Sequence, residues 1–245
     1  MANRQRAEAR RKAQAKASRN GGDSKGFLIW AILGAVVVLV GAIVFIATSG
    51  DDPAAAPVTT DSSGATVTTV ALPVSQPVTI TGEPLPSFSS TEGDLAVGST
   101  APALTGLDFQ GNEITIEPGT DGPYMVVFLA HWCPHCNDEV PVLNTWKLSG
   151  AVPVDLQVIG VATAVAETAA NYPPAEWFST VGWTWPVLVD ESQGEGEAGK
   201  AAVAYGATGW PYFVIVGADG KVKARYSGEI SANELTQIVD TALAS

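Results

Sequence analysis

Hydrophobic and polar positions divide the chain into three stretches of different character. Residues 27–47 are one unbroken apolar run of 21 residues, passing through Phe27, Trp30 and Val40 to Ala47 without a charge. At about 1.5 Å per residue, a helix of this length matches a hydrocarbon core of about 30 Å. The run lacks the polar stripe of a buried soluble helix, and it exceeds the roughly 7–15 apolar residues of a cleavable signal peptide. The pattern predicts a single membrane-spanning helix over 27–47. Residues 48–94 are rich in Thr, Ser, Pro, Ala and Gly, with few large apolar side chains. Such a segment buries too little to offset the entropy of ordering, which predicts a flexible tether spanning roughly 35–40 Å. Within it, only Val78-Thr79-Ile80 suggests a short strand.

From Leu95 onward, short apolar runs alternate with amphipathic stretches, the pattern of an α/β domain over 95–245. Residues 124–129, Tyr-Met-Val-Val-Phe-Leu, follow Gly122-Pro123 and read as a central strand buried on both faces. A helix is expected over 133–147, with Pro134 tolerated in its first turn and Pro141 inside it. Further strands are predicted at 156–161 and 186–190, and short helices at 174–181 and 200–205. Residues 212–216 and 222–226 flank Ala218-Asp219-Gly220, a hairpin signal. Ser231-Ala232-Asn233-Glu234 reads as the capping box of a last helix whose apolar face holds Leu235, Ile238, Val239 and Leu243. Trp177, Trp183 and Trp185 read as packing aromatics.

Charge adds an orientation. Residues 1–26 carry eight basic side chains against Glu8 and Asp23, a net +6, which leaves −18 for the remainder of a chain at −12. A basic flank beside an apolar run stays on the cytoplasmic side of a membrane, so residues 48–245 are expected outside the cytoplasm. The acidic outer part repels phosphates, which argues against nucleic acid as a partner.

The chemistry concentrates in Trp132-Cys133-Pro134-His135-Cys136, directly after the predicted central strand and at a helix start. Cys133 and Cys136 are the only two cysteines. A disulfide between them closes a tiny loop that restrains little of the unfolded chain, so its value lies in reactivity. A helix N-terminus presents unpaired N–H groups and positive potential, which favour a thiolate at Cys133. Cys136 lies one turn on, placed to resolve a mixed disulfide. His135 is placed to donate a hydrogen bond or a charge to the Cys133 sulfur, which would make the pair more oxidising. The reading is a redox-active disulfide with no other cofactor. Both histidines, His131 and His135, sit in the motif, yet four ligands crowded into residues 131–136 cannot converge on one zinc ion, and no metal site is expected.

Residues 95–245 resemble the thioredoxin-like TlpA/redoxin family of membrane-anchored thiol-disulfide oxidoreductases. The resemblance is carried by Val97 to Pro102, by Leu107 to Ile114, by Trp132 to Cys136 with Glu139 and Pro141, by Ala204 to Pro211, and by Asp219-Gly220-Lys221. It implies a thioredoxin-like fold, a central mixed β-sheet flanked by helices. It also implies that Pro211 is a cis-proline lying against the disulfide, where substrate backbone pairs. Glu139 matches a family acid near the buried cysteine, with a role in moving its proton. Val127 stands where many thioredoxins carry a buried aspartate. Trp132 and Trp210 border the implied substrate groove. The family's reductive members carry proline before the second cysteine, whereas Cys-Pro-His-Cys resembles the centre of strongly oxidising DsbA-type enzymes.

The expected activity is therefore thiol-disulfide exchange, most simply the introduction of disulfides into exported cysteine-containing proteins, with a membrane redox partner regenerating the pair. A reductase of the cytochrome c maturation type, acting on apocytochrome, is the competing enzyme reading. A thiol-dependent metallochaperone or binding module is the non-enzyme reading. Peroxidase activity is disfavoured because the Pro-x-x-x-Thr-x-x-Cys arrangement is absent.

Overall fold

The computed structural model describes residues 71–245. The basic arm (1–26), the apolar run (27–47) and the first part of the tether lie outside the described residues. Among the described residues no helix is long and apolar enough to cross a membrane.

The elements follow in the order β1 (Thr79–Thr81), β2 (Ala103–Leu107), β3 (Glu113–Ile116), β4 (Tyr124–Leu129), α1 (Pro134–Leu148), β5 (Gln157–Ala162), α2 (Pro174–Thr180), β6 (Val187–Val189), α3 (Lys200–Ala204), β7 (Tyr212–Val216), β8 (Val222–Ser227) and α4 (Ala232–Leu243). The main sheet has the order β6-β5-β4-β7-β8. Strands β4, β5 and β6 run parallel, while β7 and β8 are antiparallel additions. Helices α1 and α2 supply the crossovers that parallel pairing requires, and Ala218-Asp219-Gly220 turns the β7–β8 hairpin. This is the thioredoxin-like α/β arrangement with a mixed central sheet that the family resemblance implies.

Strand β4 is central, and all six of its residues are buried. Its side chains alternate between two cores. Met125, Val127 and Leu129 join Val140, Leu143 and Trp146 of α1 and Leu235 and Val239 of α4. Tyr124, Val126 and Phe128 join Ala201, Ala202 and Tyr205 at α3, with Leu104 and Ile116 of the small β1-β2-β3 sheet. Burial on both faces explains why the run reads as continuous rather than alternating. Helix α4 starts as its capping box predicts, with the Ser231 hydroxyl accepting from the Glu234 N–H at 3.3 Å.

One boundary differs from the expectation. The folded part begins before Leu95, within residues 48–94 that composition assigned to a tether. β1 pairs antiparallel with β2, and Val78 and Leu85 are buried. The Leu85 N–H donates to the Ala204 carbonyl and the Phe88 N–H to that of Gly206, each at 2.8 Å. Asp94 forms a buried ion pair with Arg225, whose guanidinium also donates to the Pro86 carbonyl at 2.7 Å. Gly206 permits this approach, since it takes a positive φ of 75° and a Cβ there would collide with the Pro86 carbonyl. Backbone bonds and a few anchors order the segment, a mechanism that mean polarity does not register.

Candidate active site

The end of β4 and the start of α1 build the redox turn. Leu129 closes the strand, the Cys133 N–H donates to the Ala130 carbonyl at 3.0 Å, and Cys133 is the N-cap of α1. Pro134 occupies the first helical turn, where its missing N–H costs nothing. Both cysteines are free thiols. Cys133 is only 5% exposed, and its thiol donates to the Trp210 carbonyl at 3.5 Å. It is still the more accessible of the two, since Cys136 is fully buried. Burial pushes the Cys136 thiol far up, with the Cys133 sulfur and the Glu139 carboxylate adding to the rise. Cys136 therefore holds its proton at neutral pH.

The predicted groove residues meet here. The Trp210–Pro211 bond is cis, and Pro211 is buried at the foot of β7. Trp210 and Trp132 are half-buried and pack against the same core as the two cysteines. The Trp132 indole N–H donates to the Ala164 carbonyl at 2.6 Å.

Glu139 lies on the buried face of α1, 1% exposed. Its Oε2 accepts from the Ile230 N–H at 2.9 Å, while Oε1 has no hydrogen-bond partner among the described residues. Burial raises its pKa to about 7, opposed by the Ile230 N–H and assisted by the charge of Glu229. Glu139 is thus a carboxyl group that titrates near neutrality, one turn along α1 from Cys136.

His135 departs from the expectation. It is exposed, and among the described residues its hydrogen bond goes from Nδ1 to the Glu229 carboxylate, not to the Cys133 sulfur. Glu229 follows Gly228 in the β8–α4 connection and carries no motif, so sequence reasoning missed it.

Two more positioning residues, Asn137 and Asn171, escaped the sequence reading, which weighed His131 only as a metal ligand. Asn137 donates from Nδ2 to the Cys133 carbonyl at 2.8 Å and accepts from the Trp177 indole at 2.8 Å. Asn171 donates to the His131 carbonyl at 2.9 Å. His131 is buried, and its Nε2 accepts from the Ala166 N–H at 3.2 Å. Nδ1 must then carry the proton, which it donates to the Ala170 carbonyl at 2.8 Å. Burial lowers the His131 pKa, which keeps this neutral tautomer. Both ring nitrogens are thus committed to backbone, and among the described residues no group of three or more His, Cys, Asp or Glu is arranged to hold a metal ion.

A family model described as the AhpC/TSA family matches residues 97–225. The chain belongs to this family. The AhpC/TSA match takes in the redox turn, Glu139 and the cis Trp210–Pro211 pair, and it ends before Glu229. Among curated relatives, the thiol-disulfide oxidoreductase ResA of Geobacillus thermodenitrificans (strain NG80-2) is 26% identical over 157 residues, 63% of this chain and 83% of the relative. The thioredoxin-like protein YneN of Bacillus subtilis (strain 168) is 22% identical over 154 residues, 63% of this chain and 85% of the relative. Among solved structures, a thioredoxin-family thiol:disulfide interchange protein of Chlorobium tepidum TLS aligns with a TM-score of 0.47 at 24% identity, covering 59% of this chain and 96% of that one.

Proposed function

We propose that this thioredoxin-like thiol-disulfide oxidoreductase introduces disulfides into exported proteins, from a position outside the cytoplasm where residues 27–47 anchor it. The observation that carries the reading is the pairing of an N-cap thiol at Cys133 with a fully buried thiol at Cys136 one turn later. In the forward reaction a substrate thiolate attacks Sγ of Cys133 in the Cys133–Cys136 disulfide. The S–S bond breaks, and Cys136 leaves with the electron pair. Glu139, with its pKa about 7, gives the proton that Cys136 requires. A second substrate thiolate then attacks the substrate sulfur of the mixed disulfide and releases Cys133. Two electrons pass from substrate to enzyme, and a membrane redox partner removes them. The edges at Trp132, Trp210 and Pro211 form the groove in which substrate backbone lies.

A second reading is a reductase of the cytochrome c maturation type, with apocytochrome as substrate. The Glu229–His135 pair favours it, since it draws the imidazole away from the sulfur that a strong oxidant needs stabilised. Trapping separates the two. Cys136→Ala expressed as the full chain holds partners on Cys133 as mixed disulfides. Exported proteins with oxidisable cysteine pairs support disulfide introduction, and an apocytochrome as the dominant partner contradicts it.

A further inference from the structure

Three consecutive residues of the β8–α4 connection reach three parts of the redox centre. The Gly228 N–H donates to the Pro211 carbonyl at 2.8 Å. The Glu229 carboxylate binds Nδ1 of His135. The Ile230 N–H donates to Oε2 of Glu139 at 2.9 Å. Residues 228 and 230 act through backbone, and Glu229 is the only one of the three whose side chain enters the network. Its neighbours on both sides are fixed, so its carboxylate is delivered to the rim of the active-site turn by a tethered loop.

From this arrangement we infer that Glu229 is a positioning residue that restrains the oxidising strength of the Cys133–Cys136 pair. The inference rests on the thiol-exchange reading above and deepens it. The carboxylate holds the His135 ring at the outer rim, so the ring does not hydrogen-bond to the Cys133 sulfur. A less stable thiolate means a less stable reduced pair, hence a less oxidising disulfide. The pair is partly exposed, with the His135 and Glu229 side chains 67% and 47% accessible, so solvent and salt temper the effect without cancelling it.

The test is a double-mutant cycle on the full chain, with wild type, Glu229→Gln, His135→Ala and the double variant equilibrated in glutathione buffers. Glu229→Gln is expected to shift the equilibrium toward the reduced pair by about tenfold, which for a two-electron couple is about 30 mV. Alkylation of Cys133 at fixed pH should quicken severalfold. In the His135→Ala background the added Glu229→Gln change should shift the equilibrium much less. No shift, a shift toward the oxidised pair, or an equal shift without His135 overturns the inference while leaving the exchange reading intact. A wild-type chain whose cysteines do not equilibrate with glutathione overturns both.

Discussion

At the scale of single residues, the centre works through contrast between neighbours. Cys133 is partly reachable and Cys136 is sealed, although they are three positions apart. Glu139 has what sealing removes from Cys136, ionisation near neutrality, with one oxygen held by the Ile230 N–H and the other without a partner among the described residues. If Glu139 moves the proton of Cys136, attack of Cys136 on a mixed disulfide should accelerate as pH rises through about 7, where the carboxyl ionises and becomes a base. Stopped-flow resolution of a mixed disulfide on Cys133 should show that inflection in wild type. Glu139→Gln should lose it and slow resolution about 100-fold. An unchanged profile in the variant would remove Glu139 from the chemistry. Cys133 and Cys136 were legible in the sequence as a pair one helical turn apart, and Glu139 through the family resemblance. Glu229 was not, because it meets His135 across 94 positions of chain and nothing local marks the contact.

At the scale of elements, the redox turn is tied to the loop between β5 and α2. His131, Trp132 and Asn137 bond to that loop or to α2 at Ala164, Ala166, Ala170 and Trp177, and Asn171 returns a bond to the His131 carbonyl. His131 is the titratable part of the tie. Its pKa is lowered in the fold from 6.5, so below that pH the unfolded chain binds a proton that the fold resists. The unfolded state then holds more protons, and stability falls as pH drops. Glu139 contributes in the opposite direction between its ordinary 4.5 and about 7, since there the folded state holds the extra proton. Comparison with His131→Gln separates the two. Wild type should be the more stable at pH 8, and its advantage should shrink as the pH is lowered to 5 in denaturant unfolding. A constant gap would show that His131 does not titrate as described. The elements themselves were largely readable. β4 and β7 announce themselves as unbroken apolar runs, and α4 by its capping box. The segment holding β1 was not readable as folded, because its order comes from backbone pairing with β2 and from the partners Ala204, Gly206 and Arg225, more than 100 positions away.

At the scale of the whole molecule, a thioredoxin-like domain of the AhpC/TSA family brings a strand end, a helix start, a cis Trp210–Pro211 bond and the β8–α4 connection to one edge of the sheet. The same edge sets Cys133 at the N-terminus of α1 against the Glu229–His135 pair, whose proposed influence on the redox pair opposes that of the helix end. The proposed direction of electron flow depends on that balance, and the equilibrium between the full chain and glutathione reads it out. A single two-electron transition is expected, abolished by Cys133→Ala or Cys136→Ala, at a potential clearly above the about −270 mV of thioredoxin. A chain with no transition, or one at or below that value, contradicts the proposed direction of electron flow.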